Sequence, residues 1–114
     1  MPHFVIDCSE NIIKIKPPGE IMKTVHDLAE STALFAKGDI KVRINPFKYF
    51  NVGNTENDFI HVFTYIMEGR NTAQKADLSK RIITALKQMF PAVPAISMNI
   101  KDFEKATYCN RKMI

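Results

Sequence analysis

Apolar and polar residues alternate from the first strand-like stretch onward. In "HFVIDC", Phe4, Ile6 and Cys8 fall on one side and His3, Val5 and Asp7 on the other, the period of a half-buried strand. "KPPGE" breaks that pattern. From Glu20 to about Thr32, Ile21, Met22, Val25, Leu28 and Ala29 recur at helical spacing with Lys23, His26, Asp27 and Glu30 between them, which predicts an amphipathic helix. After Gly38, "DIKVRIN" alternates again, with Ile40, Val42 and Ile44 apolar and Asp39, Lys41, Arg43 and Asn45 polar. Lys41 and Arg43 therefore point the same way. The turn formers of "NVGNTEND" precede "FIHVFTYIM", a third strand that is apolar or aromatic on both faces and predicted to be covered on both. Asn71 is a candidate N-cap for a helix with Ile82, Ile83, Leu86, Met89 and Phe90 inward, stopped by Pro91. "AISMNIKDF" reads as the last strand.

The order is strand, helix, strand, repeated once, without internal sequence repetition. It predicts one α/β domain over residues 1–114, two strand-helix-strand units forming a four-stranded sheet with both helices on one face. Two helices cover only one side of such a sheet, so its other side is an interaction surface. It can pack against copies of itself in a closed oligomer or stack nucleic-acid bases. Phe59, Phe63 and Tyr65 lie where an RNA-recognition fold keeps its stacking aromatics. "DFIHVFTY", however, lacks the basic start and the small residues of the RNP1 motif.

Composition narrows the chemistry. A hydrophobic share of 46% with 25% charged residues suits a small soluble domain with one core, and no apolar run is long enough for a membrane span or a secretory leader. The expected address is the cytoplasm. The formal net charge of +4 favours anionic ligands without naming one. Cys8 and Cys109 have no C-x-x-C spacing and read as reduced, partly buried thiols, and His3, His26 and His61 lack metal-ligand spacing, so no metal is expected. Only four glycines are present, none arranged as a phosphate cradle, which argues against a nucleotide cofactor.

What remains is "MPHF". With Met1 attached, the Pro2 nitrogen is an amide and no base. With Met1 removed, it is a secondary amine whose reference pKa is about 8. Burial against Phe4, together with Lys41, Arg43 or Arg70 nearby, would disfavour the ammonium form and bring that amine toward neutrality, where it can act as a general base. Because a strand begins at once, a freed amine would be anchored at the edge of the core.

The segments "MPHFVIDCSENI", "IKVRI", "FIH", "GRNTAQK" and "ISMNIKDF", taken in order over nearly the whole chain, resemble the tautomerase superfamily, and within it the 5-carboxymethyl-2-hydroxymuconate isomerases. The resemblance implies a homotrimer whose open sheet faces meet, with pockets near subunit boundaries that each hold a proline amine. It also implies a reaction needing no metal or cofactor. Pro2 takes the proton from the 2-hydroxyl of a dienol bearing carboxylates and returns one to a conjugated carbon, giving the unsaturated ketone. Arg43 and Arg70 match the family pattern of substrate-binding arginines. Lys41 stands where the pattern has arginine, keeping the charge but losing the planar bidentate fork. Arg70 reads equally as a structural or interface residue, and His61 as a satisfied histidine of the sheet rather than a catalytic one. Neighbouring readings are a tautomerase of another 2-hydroxydienoate such as 2-hydroxymuconate, or of a phenylpyruvate-like enol. From a different class comes a non-catalytic RNA-binding sheet.

Overall fold

Strand β1 (His3–Ser9) lies inside a sheet of order β2-β1-β3-β4 in the computed structural model, which describes residues 1–114. It pairs in parallel with β2 (Lys41–Phe47), an edge strand, and antiparallel with β3 (Phe59–Met67), which in turn carries β4 (Ala95–Phe103) in parallel on the far edge. A short α1 (Ile12–Ile15) and the longer α2 (Pro18–Ser31) connect β1 to β2, while α3 (Thr72–Met89) connects β3 to β4. A single 3-10 turn, Arg111–Met113, closes the chain. The two expected strand-helix-strand units are thus joined through their first strands.

Three boundaries differ from the sequence reading, each for a local reason. Helix α2 starts at Pro18 rather than Glu20, since a proline in the first turn has no N–H to leave unpaired and its φ is already helical. Strand β2 starts at Lys41 rather than Asp39, because the Asp39 N–H closes a turn onto the Ala36 carbonyl at 3.1 Å, with Gly38 at a φ of 85°. The same strand runs on through Pro46, which an edge position tolerates. The N-cap of α3 is as expected. Asn71 accepts from the Gln74 backbone N–H at 2.8 Å while the Gln74 side chain accepts from the Asn71 N–H at 2.9 Å, a reciprocal capping box.

The core lies between the sheet and the two long helices. Phe4, Ile6 and Cys8 of β1 and Ile60 and Val62 of β3 form one cluster with Ile21, Val25 and Ala29 of α2 and Leu78, Ile82 and Leu86 of α3. Both helices therefore cover the same sheet face. Each fully buried aliphatic or aromatic side chain contributes roughly 1.5–3 kcal/mol. Cys8 is wholly buried, and its thiol is pushed up to about 12 by burial first and by Asp7 and Asp58 second, so it is a packing residue. Cys109, expected to be partly buried, is exposed, lying past β4 in the irregular segment between Tyr108 and Asn110.

The expectation that β3 is covered on both faces is met on one. Ile60, Val62, Thr64 and Ile66 are buried beneath the helices, but no helix lies over Phe59, His61, Phe63, Tyr65 and Met67, and Phe63 is 36% exposed, while Phe59 rests on the Phe50 ring at 5.5 Å. These side chains pack mainly against one another and their neighbours, with the His61 and Phe63 rings 4.3 Å apart and Tyr65 5.9 Å from Phe103.

One buried group is unpaired. The Thr64 hydroxyl faces the core without a hydrogen-bond partner, an arrangement that costs stability because its desolvation is not compensated. Thr64→Val keeps the shape and removes the polar atom, so we expect it to stabilise the fold by about 1 kcal/mol, read as a higher urea midpoint at unchanged m-value. Asn71→Ala removes the cap of α3 and is expected to cost about 1 kcal/mol in the same titration.

Candidate active site

Pro2 is buried at the head of β1, where its carbonyl accepts the Lys41 N–H at 3.1 Å and so opens the β1–β2 ladder. Met1, half-buried, stands at one wall of a cleft of about 530 Å³. Four parts of the chain meet there. The loop between α2 and β2 gives Phe35 and Asp39, β2 gives Lys41, the end of β3 and its following turn give Met67 and Arg70, and the segment after β4 gives Tyr108, Asn110, Arg111 and Lys112.

The basic residues singled out in the sequence do not all arrive at this cleft. Lys41 does, with its ammonium donating to the Asp39 carbonyl at 2.8 Å. Arg70 also lines the cleft, though its guanidinium donates to the Leu34 carbonyl and, at 3.3 Å, to that of Met67, and lies 5.3 Å above the Phe35 ring. It ties the α2–β2 loop to the end of β3. Arg43 points from the open face of the sheet instead, donating to Nδ1 of His3 at 3.0 Å. That bond places the lone pair of His3 on Nδ1. His61 lies farther along the open face, with Nδ1 2.7 Å from the Ser97 hydroxyl and Nε2 2.7 Å from the Asn99 side-chain oxygen, both nitrogens engaged as expected of a satisfied histidine.

The electrostatics of the chain's start follow from this crowding. Burial holds the terminal amine of Met1 below its ordinary pKa, the hydrogen bond and charge of Lys41 lower it further, and Asp39 works the other way. His3 is likewise lowered, by burial first and then by Arg43, the terminal amine and Lys41. The cleft thus gathers Lys41, Arg70, Arg111 and Lys112 around one carboxylate, Asp39. Several cations can bind a small anion, and an amine beside them whose ammonium form is disfavoured can take a proton from it. In the chain bearing Met1 that amine is primary, and the Pro2 nitrogen is an amide.

Tyr108, Asn110, Arg111 and Lys112 were not legible as site residues. They follow the last periodic segment, and the only local signal is an Asn followed by two cations, where Asn110 accepts the Lys112 N–H at 3.1 Å and caps the 3-10 turn.

Known proteins bear on this geometry. The 5-carboxymethyl-2-hydroxymuconate Delta-isomerase of Escherichia coli is 22% identical over 106 residues, spanning 91% of this chain and 84% of that protein. The crystal structure of a 5-carboxymethyl-2-hydroxymuconate isomerase from Deinococcus radiodurans R1 superposes with a TM-score of 0.85 at 19% identity, covering 96% of this chain and 88% of that one. A fused 4-OT wild-type symmetric trimer has the same fold, with a TM-score of 0.80 at 12% identity over 98% of this chain and 95% of that one. The sequence profile of the 5-carboxymethyl-2-hydroxymuconate isomerase family matches residues 2–114, so this chain belongs to that family of isomerases.

Proposed function

We propose that the protein is a cofactor-independent tautomerase that converts the dienol of a small polycarboxylate, a 2-hydroxydienoate, to its unsaturated keto isomer, with Pro2 as general base once Met1 is removed. The observation that carries this reading is the burial of Pro2 against Lys41, a residue that lines the cation-rich cleft and, after burial, disfavours the ammonium form of the neighbouring terminal amine. A secondary amine at position 2 would lie deeper than that of Met1 and feel the same two influences. Its nitrogen takes the proton of the 2-hydroxyl, becoming an ammonium, and returns a proton to a conjugated carbon, ending uncharged. The pair of electrons freed at oxygen becomes the carbonyl as the double bonds shift. Lys41 and Arg70 hold a carboxylate and the developing oxyanion.

Arg43 enters through assembly. The open sheet face is aromatic and polar by turns and carries no helix, which favours a homotrimer in which these faces meet and Arg43 lies near a subunit boundary. The resemblance in fold to a trimeric 4-OT supports that assembly. Family membership favours the enzyme over the RNA-binding alternative, and the cytoplasm is the compartment that fits a cofactor-free catabolic isomerase. No helix is long and apolar enough to cross a membrane.

The test compares Met1-free protein with Pro2→Ala and with an uncleaved Met1 form against a panel of 2-hydroxydienoates and phenylpyruvate-like enols. A single general base contributes about 10²–10⁴-fold, so kcat/KM is expected to fall by that order in both altered forms, and equal activity in all three would end the proposal. The pH profile gives an independent reading. Because the amine works unprotonated and its surroundings lower its pKa, activity is retained down to a midpoint below the ordinary α-amino value and is lost on further acidification. Lys41→Ala, by removing one of the two causes, moves that midpoint upward.

A further inference from the structure

We propose that Arg111 and Lys112 form a specificity-determining pair that grips a second, distal carboxylate of the substrate, so that the segment after β4 selects dianions over monoanions. The inference deepens the function proposed above and rests on it for the identity of the reacting end. Its own basis is the tail.

The segment is held over the cleft by identifiable contacts. Phe103, the last residue of β4, packs against both Tyr65 and Tyr108, at 5.9 and 6.0 Å between ring centres. The Glu68 carboxylate accepts the Lys105 N–H at 3.1 Å, and the Tyr108 N–H donates to the Glu104 carbonyl at 3.2 Å, turning the chain back. Asn110 then caps the 3-10 turn, and Arg111 and Lys112 both line the cleft. The chain returns to its own beginning.

Within that cleft the other cations already touch the chain. Arg70 is engaged by two backbone carbonyls and the Phe35 face, and Lys41 by the Asp39 carbonyl. The side chains of Arg111 and Lys112 take part in none of the chain's six ion pairs, which lie elsewhere. Their two charges add to those of Lys41 and Arg70 with one opposing carboxylate, so the set repels itself. A ligand with two carboxylates relieves that repulsion at both ends, whereas one carboxylate relieves it at one. In this division of labour Lys41, bonded through its backbone to Pro2, serves with Arg70 at the reacting end, and the tail takes the far end by charge-assisted hydrogen bonds.

The test uses adipate and hexanoate, unreactive chains of equal length that differ by one carboxylate, titrated calorimetrically into Met1-free protein. Adipate is expected to bind about tenfold more tightly than hexanoate, the scale of one partly exposed charge-assisted contact. In Arg111→Ala/Lys112→Ala the preference is expected to shrink to about twofold or less through weaker adipate binding alone, and Arg111→Lys/Lys112→Arg is expected to restore most of it. In turnover, the alanine pair raises KM for a dicarboxylate enol more than it lowers kcat. Equal affinity for the two probes in the parent protein, or an undiminished preference in the alanine pair, would overturn the proposal. Binding needs no proton transfer, so a Pro2→Ala protein that turns over normally would defeat the general-base reading while leaving this measurement decisive.

Discussion

The pairing of β1 with β2 is the constraint on which the site depends. Its first bond, from the Lys41 N–H to the Pro2 carbonyl, fixes the chain's beginning against the one residue that most directly alters its electrostatics after burial. A terminus is ordinarily the least ordered part of a domain. Here it is tied into an interior strand whose partners on both sides are set by register, His3 opposite Lys41 and opposite Tyr65. A slip of one residue between β1 and β2 would turn Lys41 toward the helices and Val42 toward the open face, and the packing of the half-buried Val42 and Ile44 against the core would be lost with it. Core packing and site chemistry are therefore locked to a single register.

The two faces of the sheet serve different ends. Beneath the helices, Phe4, Ile6, Ile60 and Val62 pack with the apolar stripes of α2 and α3 into one core, with the Thr64 hydroxyl as its unpaired group. On the open face polar groups are paired laterally. His61 is held between Ser97 and Asn99, Arg43 on His3, and Asn45 donates to Asp7 at 3.2 Å. Such lateral satisfaction means that the polar groups would not be left wanting partners if another surface were laid over the face, as the proposed trimer requires.

The cleft shows how one side chain can serve structure and site together. Arg70 ties the loop after α2 to the end of β3 through two carbonyls, and in doing so brings its charge to the cleft wall and keeps Phe35 in place beneath it. Arginine suits this because its donors are rigidly splayed and its charge persists at every working pH. Lys41 is held more lightly, by one carbonyl, and stays free to reorient toward a ligand. The proposed division between a reacting end and a distal end rests on placement, with Lys41 bonded through its backbone to Pro2 and Arg111 and Lys112 on the segment after β4.

By itself the sequence determined the order and type of the main elements, the pairing of helix stripes with alternating strands, and the cap at Asn71, because each rests on local periodicity or on a side chain reaching its own backbone. It also singled out Lys41 and Arg70, which line one cleft, and Pro2, whose carbonyl is bonded to the Lys41 N–H beside it. It could not distinguish Arg43 from Lys41, since alternation puts both on one face and only the turn of the sheet separates a residue at its end from one farther along. Nor could it foretell the four-residue α1, too short to show a period, or the start of α2 inside a run of prolines. Tyr108, Arg111 and Lys112 join the site across about a hundred residues of chain, through aromatic packing on Phe103 and a backbone turn onto Glu104. Such long-range closure leaves no trace in neighbouring residues, so tertiary structure alone decided it.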